Sequence, residues 1–163
     1  MVKQDKYRLD ALLELRERKK DEAERYLAEC IGILRTEQER QRDMEAELER
    51  MEAKREQRIR EYSEQAMRGE MSAQSAISSN VYIERLKEQE DAQKEAIENQ
   101  KRVVMQKKEA VEGARKDLVA ASQELKAIEK HKEKWEEKRK KEREMKEEQA
   151  MDEIAQSAFF RDD

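Results

Sequence analysis

The second half of the chain contains, at residues 83–135, the stretch IERLKEQEDAQKEAIENQKRVVMQKKEAVEGARKDLVAASQELKAIEKHKEKW. Steps of three and four residues alternate through it and mark sixteen positions, eleven of them apolar. At the 36% hydrophobic content of the whole chain, chance would give about six. A 3.5-residue repeat held this long predicts a helix in a left-handed coiled coil. We call these positions the seam: Ile83, Leu86, Glu90, Gln93, Ile97, Gln100, Val104, Lys107, Val111, Ala114, Leu118, Ala121, Leu125, Ile128, Lys132 and Trp135.

The first half of the chain carries the same spacing with one irregularity. Two successive steps of four, Met51 to Arg55 to Ile59, form a stutter that locally unwinds a supercoil. Upstream lies a wider apolar stripe than two helices need, either a docking face or a frayed end packed on the partner helix. The repeat runs through Cys30, Leu34, Glu37, Gln41, Met44, Leu48, Met51, Arg55, Ile59, Tyr62 and Ala66, and the stripe contains Leu9, Leu12, Leu13, Ala23, Tyr26 and Leu27.

A turn separates the two halves. Gly69 can adopt the left-handed conformation that closes a helix, and Ser72 can cap the next one. The predicted fold is therefore all-α, a long antiparallel two-helix coiled-coil hairpin that forms a single elongated domain over residues 1–163. Its predicted parts are a first helix at 5–68, a turn at 69–72 or a looser loop reaching 80, a second helix at 73–149 and a mobile tail at 150–163.

The composition favours an extended helical protein over a compact one. Charged residues make up 48% of the chain, proline is absent and glycine occurs three times. Such a composition also suits disordered chains, but the regular seam favours folding. Because 41 acidic and 37 basic residues are mixed at short range, nucleic acid is not expected as the main partner. An RNA-binding arm would have only the basic stretch 126–146 as support.

No residue pattern indicates catalysis. The single histidine, His131, lies among lysines and glutamates, and neither a glycine-rich phosphate loop nor a Cys/His cluster is present. We therefore expect a protein that is not an enzyme and has no cofactor or metal, with His131 on the surface. The lone Cys30 suggests a reducing compartment. With no signal peptide and no run of 18 apolar residues, we expect a cytoplasmic protein without direct membrane insertion.

The opening of the chain resembles that of the flagellar export protein FliJ and its injectisome relatives, the YscO/SctO family. The similar features are Lys6-Tyr7-Arg8-Leu9-Asp10-Ala11-Leu12-Leu13 followed by Asp21-Glu22-Ala23, the mid-chain Gly69, Tyr82-Ile83-x-x-Leu86, and a charged end with Asp152-Glu153-Ile154-Ala155 and Phe160. These features span nearly the whole chain.

The resemblance implies a stalk of the type III export apparatus, held at the inner membrane through its partners. Those partners would be the export ATPase hexamer, the cytoplasmic part of the export gate and the export chaperones. It further implies gate contacts through Tyr82 and Leu86, and ATPase contacts through Leu9, Leu12, Leu13, Lys138, Arg139, Lys140 and Lys141. The alternatives are an unrelated coiled-coil spacer and a coiled-coil export chaperone.

Overall fold

The computed structural model describes residues 6–161, which form two long helices joined by a short turn. Helix α1 spans Asp10–Met67 and has 58 residues, and helix α2 spans Ala73–Arg161 and has 89 residues. No strand occurs between residues 6 and 161. The helices pack antiparallel, so the predicted all-α two-helix hairpin is confirmed.

The helix bounds differ from the predicted ones at both termini of the chain. Helix α1 begins at Asp10 instead of residue 5, and α2 continues to Arg161 instead of ending at 149. Residues 150–161, which the sequence predicted as a mobile tail, are thus helical. They contain neither glycine nor proline and are rich in good helix formers, so no local signal ends the helix at 149.

The turn forms from the two residues expected to form it. Gly69 has a φ of 67°, the amide of Glu70 donates to the Gln65 carbonyl (3.0 Å) and the amide of Gly69 donates to that of Ala66 (3.2 Å). This pattern is a Schellman motif, which satisfies the last carbonyls of α1. The Ser72 hydroxyl then accepts a hydrogen bond from the amide of Ser75 (3.1 Å) and caps α2. Helix α2 therefore starts at residue 73, and the alternative loop to residue 80 does not form.

The seam of α2 is the packed face of that helix. Of its sixteen positions, eight are buried and eight are half-buried, so none is exposed. Every buried residue of α2 lies on it: Leu86, Glu90, Ile97, Gln100, Val104, Val111, Ala114 and Leu125. Gly113 lies off this face, and a Cβ added there would meet nothing within 4 Å. The seam therefore packs through side chains and not through a close glycine contact.

The matching face of α1 follows its predicted repeat, except at Ile59, after the stutter, and at Ala66, near the turn. Cys30 is buried, and the repeat from Leu34 to Arg55 is half-buried throughout. Ile59 is exposed (38%), because the second step of four carries the side chain off the packed face. Tyr26, expected in the wider upstream stripe, is also exposed (53%).

Contacts within the chain divide it into two compact units. The first, here the terminal unit, comprises Met1–Tyr26 and Arg115–Asp163, and the second, the turn unit, comprises Leu27–Ala114. In the turn unit, Cys30, Val111 and Ala114 form a small apolar core against which Leu27, Ile31 and Leu34 pack. Since a two-helix contact buries only a narrow strip, this core is small.

Polar side chains interrupt the seam of the turn unit, and three of them, Glu90, Gln93 and Gln100, are paired across the hairpin. The Gln93 and Gln100 amides donate to the backbone carbonyls of Met44 (3.0 Å) and Glu37 (2.9 Å). Arg55 Nε donates to both carboxylate oxygens of the buried Glu90, at 2.7 and 3.0 Å. Because buried polar groups cost free energy unless they are hydrogen-bonded, these pairs favour one alignment of the two helices.

Candidate protein-binding surfaces

The two residues expected to contact the export gate have different environments. Leu86 is a seam residue that is only 7% exposed, so its side chain offers little area to a partner. Tyr82 lies on the flank of the seam and is half-buried, with the Arg58 guanidinium 6.0 Å from its ring centroid. Of the pair, Tyr82 is therefore the residue that keeps accessible surface.

A shallow groove runs beside Leu86. It has a volume of about 260 Å³ and is lined by Glu47, Arg50, Met51, Lys54, Leu86 and Gln89. Met51 and Leu86 form its apolar part, while the other four lining residues are exposed. Glu47 holds Arg50 in an ion pair (2.5 Å). The groove is thus a polar-rimmed depression and not an enclosed cavity that could shelter a reaction.

The residues expected to contact the export ATPase all lie in the terminal unit. Leu9, Leu12 and Leu13 are half-buried. The basic run is more accessible, because Lys138, Lys140 and Lys141 are exposed and Arg139 is half-buried. The Arg139 guanidinium lies 5.5 Å from the Trp135 ring centroid and pairs with Glu142 (3.8 Å). Here the three lysines are the most accessible of the predicted contact residues.

An aromatic cluster closes the paired part of the terminal unit, and sequence reasoning missed it. Tyr7 is only 5% exposed, its hydroxyl is hydrogen-bonded to His131 Nδ1, and its ring lies 5.2 Å from that of Trp135. His131 is exposed, as expected, but it holds Tyr7 in place. One residue could have indicated the cluster in advance, namely Trp135 at the end of the seam. A large aromatic side chain at such a position buries much apolar area and therefore packs against a side chain of the other helix.

Ion pairs reinforce this cluster. Lys132 Nζ lies 3.1 Å from Asp10 Oδ1 and 5.9 Å from the Tyr7 ring centroid. Hydrogen bonding to Asp10 and attraction to its charge raise the pKa of Lys132 above its ordinary 10.5, which desolvation opposes. Arg16 also pairs with Glu124. Asp10 is the first residue of α1, where a negative charge stabilises the helix dipole.

Beyond the aromatic cluster, α2 continues without cover. Every residue from 140 to 161 is exposed. Five of them are large apolar side chains between 61% and 73% exposed: Met145, Met151, Ile154, Phe159 and Phe160. A groove along this segment is lined by Ala150, Glu153, Ile154, Ser157, Ala158 and Arg161. Exposed apolar residues grouped in this way mark contact surfaces more often than single ones do.

No part of the described chain has the features of a metal site or a membrane span. Residues 6–161 contain no group of three His, Cys, Asp or Glu side chains placed to hold a metal ion. Within the same range, no helix carries an apolar stretch long enough to cross a membrane. What the chain presents to other molecules is the outer surface of a helical hairpin.

Comparison with known proteins identifies the group to which this hairpin belongs. The family model for YscO-like proteins matches residues 4–163. The chain belongs to the YscO-like family. A solved structure of a Chlamydia trachomatis protein, CT670, described as a YscO homologue, is similar to it, with a TM-score of 0.80 and 27% sequence identity over 94% of each chain. No curated protein sequence matches the chain.

Membership of the YscO-like family supports the YscO part of the resemblance seen in the sequence. YscO-like proteins are structural components associated with type III secretion and are not known as enzymes. The match is to the YscO family, and it does not confirm a flagellar assignment. For this YscO-like chain, the half-buried Tyr82 and the exposed Lys138, Lys140 and Lys141 are therefore the first residues to test as contacts.

Proposed function

We propose that this YscO-like protein is a non-enzymatic central stalk of a type III secretion apparatus. It inserts in the export ATPase hexamer and links the hexamer to the export gate and to export chaperones. These partners keep it at the cytoplasmic face of the inner membrane. The observation that carries the proposal is the family match over residues 4–163, together with the folding of residues 10–161 into a two-helix hairpin.

The charge of the hairpin surface supports a role in transient contacts. Exposed acidic and basic residues alternate along both helices, and many pair within one helical turn, as Lys87 does with Glu84 and Lys101 with Glu98. Exposed ion pairs contribute about 0 to 1 kcal/mol each. A partner can replace these intrahelical ion pairs one at a time by ion pairs with its own charged residues, so it binds without a large kinetic barrier. Such contacts suit a stalk inside a ring whose subunits change conformation.

The ATPase contact is assigned to the terminal unit, and its accessible part is Lys138, Lys140 and Lys141. Leu9, Leu12 and Leu13 are half-buried, and the exposed part of each side chain adds to this ATPase contact surface. Occupation of the hexamer pore favours the assembled ring by mass action. Adding the protein to its cognate ATPase should therefore promote ring assembly and raise ATP hydrolysis.

A charge-reversal experiment tests the ATPase contact. The variant Lys138→Glu, Lys140→Glu, Lys141→Glu should retain the helical circular dichroism of the wild type, because all three side chains are exposed, but should lose most of the stimulation. The matched control reverses three exposed lysines elsewhere on α2, Lys94, Lys108 and Lys116. Equal stimulation by both variants would place the ATPase contact outside the basic run, and no stimulation by the wild type would remove the stalk role.

A second experiment tests the gate contact. Tyr82→Ala should weaken binding to the purified cytoplasmic part of the export gate and lower secretion, since Tyr82 keeps accessible surface beside the seam. Val81→Ala is the control, because Val81 is the adjacent residue and is 54% exposed. If Tyr82→Ala binds the gate as the wild type does, the gate contact lies elsewhere on the hairpin.

A further inference from the structure

The uncovered end of α2 carries an apolar stripe on one face. At 100° per residue, Met151, Ile154, Ala155, Ala158 and Phe159 fall within one continuous face of the helix. Their spacing of i, i+3, i+4, i+7 and i+8 is that of a helix face packed on a partner. We call these five residues the C-terminal stripe. Phe160 lies about 170° from the centre of the stripe, although its ring touches the edge of Phe159, and Met145 lies about 110° from that centre. Both are exposed to a similar degree and serve as internal controls.

No described residue of this chain covers the C-terminal stripe, because every residue from 140 to 161 is exposed. Met151 lies sixteen residues beyond Trp135, or about 24 Å along the helix axis from the aromatic cluster, and Phe159 lies farther still. The chemistry of the stripe and its neighbours therefore has to indicate the occupant.

Charge disfavours a second copy of the chain as that occupant. Residues 147–161 carry four carboxylates, of Glu147, Glu148, Asp152 and Glu153, against one cation, Arg161. Stripe-to-stripe pairing of two copies brings two net negative segments together in either orientation, and like charges side by side are destabilising. The stripe is also small, with two alanines among its five residues, whereas a stable interface buries about 1,000 Å² or more.

The same charge disfavours a lipid surface. Helices that lie on membranes have Lys and Arg on the polar face, which anionic lipid headgroups attract. Glu147 and Glu148 lie one turn before the C-terminal stripe on the same face, and Asp152 lies at its edge, so three carboxylates adjoin the stripe and repel such headgroups. With a second copy and a lipid surface both disfavoured, the occupant that complements these carboxylates is a positively charged protein surface.

We propose that the C-terminal stripe docks in an apolar groove of another protein, and that Lys or Arg side chains on the rim of this groove face Glu147 and Glu148. An amphipathic helix that binds a groove through anchors at i, i+3, i+4 and i+7 is an established mode of protein recognition. Met151, Ile154 and Phe159 supply the large anchors, and the two alanines allow close approach. The proposal does not depend on the identity of the ATPase or gate contacts.

Site-specific photo-crosslinking in the producing cells tests the proposal on the full-length chain. The photoreactive residue p-benzoylphenylalanine replaces Phe159 in one strain and Phe160 in another. We expect a discrete product with a second protein from position 159, at least about fivefold stronger than from position 160, because only position 159 faces the groove. Equal yields from the two positions, no product from either, or a lipid adduct would overturn the proposal. A product at twice the mass of the chain would identify a second copy and would overturn it as well.

Charge reversal separates docking from random capture. Glu147→Lys with Glu148→Lys should lower the yield from position 159 several-fold, whereas reversal of the exposed Glu95 and Glu109 should leave it unchanged. The protein found in the product is then purified and titrated. Met151→Gln with Ile154→Gln should weaken its binding about tenfold or more, as loss of central anchors does, while Met145→Gln with Phe160→Gln should not. Equal effects of the two double variants would refute the assignment of the binding face.

Discussion

Replacement of Leu86 by alanine measures how well the hairpin excludes water from its seam. Leu86 is 7% exposed, and the change removes three carbons. At about 0.8 kcal/mol for each buried methylene, loss of nearly complete burial costs about 2 kcal/mol. Leucine-to-alanine changes in compact cores cost about 2 to 5 kcal/mol, the excess coming from the cavity left behind. Here four of the six residues lining the adjacent groove are exposed, so solvent fills the vacated space. We therefore expect a loss near 2 kcal/mol.

The matched measurement is Tyr82→Ala, one turn away on the same helix. Tyr82 is half-buried, and its contact with Arg58 is of the exposed cation–π kind, worth about 0.5 to 1 kcal/mol. We expect a total loss near 1 kcal/mol, smaller than that of Leu86→Ala.

Urea denaturation followed by circular dichroism at 222 nm gives both free energies, provided that the slope m stays at its wild-type value. A loss of less than 0.5 kcal/mol for Leu86→Ala would show that the seam is open at this point. A loss near 5 kcal/mol would show that the groove closes over the residue, as in a globular core. A larger loss for Tyr82→Ala than for Leu86→Ala would refute the assignment of the seam in this part of the hairpin.

Three further outcomes follow from side chains paired across the hairpin. Arg55→Met should lower the unfolding midpoint more than Glu90→Met, because the stranded carboxylate of Glu90 is buried, whereas the stranded guanidinium of Arg55 reaches water. Tyr7→Ala should shift the fluorescence of Trp135, the single tryptophan of the chain, to longer wavelength as water reaches its ring. Lys132, whose pKa is raised in the folded state, stabilises the hairpin below pH 10.5, and this contribution should fade as the pH rises through its higher folded-state pKa.

Each of these three outcomes has a control. For the buried ion pair, the double variant Arg55→Met, Glu90→Met should recover most of the lost stability, and no recovery would mean that the two residues act separately. For the fluorescence shift, Tyr26→Ala alters an exposed tyrosine and should leave the emission unchanged. For the alkaline loss of stability, Lys132→Met should make the free energy of unfolding depend less steeply on pH. If its pH dependence does not change, the effect comes from other lysines.

The periodic part of the fold could be predicted from the sequence because it depends on local rules. A helix and its buried face follow from spacing alone, which is why all sixteen seam positions are covered in the structure. The turn follows from Gly69 and Ser72, each of which forms the expected local hydrogen bonds. None of these inferences requires knowledge of which residue of one helix faces which residue of the other.

The alignment of one helix against the other could not be predicted, and for that reason the pairs of side chains across the hairpin were not predicted either. A slip of one heptad preserves the seam pattern but moves every cross-hairpin pair by about 10 Å. The sequence therefore did not reveal that Tyr7 would meet Trp135 or that Arg55 would face Glu90. Nor does the spacing show which α1 residue the polar seam side chain of Gln93 meets, and the structure pairs it with the Met44 carbonyl. The continuation of α2 to Arg161 was missed for a different reason, since no residue signals a stop.

Gln93 and Gln100 show where the alignment is encoded. Both are on α2, and both donate to main-chain oxygens of α1, which every amino acid provides. These two main-chain bonds therefore survive a change of the residue at Met44 or Glu37, although the Gln100 amide also donates to a Glu37 carboxylate oxygen (2.6 Å) and would lose that contact. Glu37 and Arg55 are the α1 side chains that take part in these seam bonds, so exposed residues elsewhere on α1 can change to suit a new partner without a shift in the pairing of the two helices.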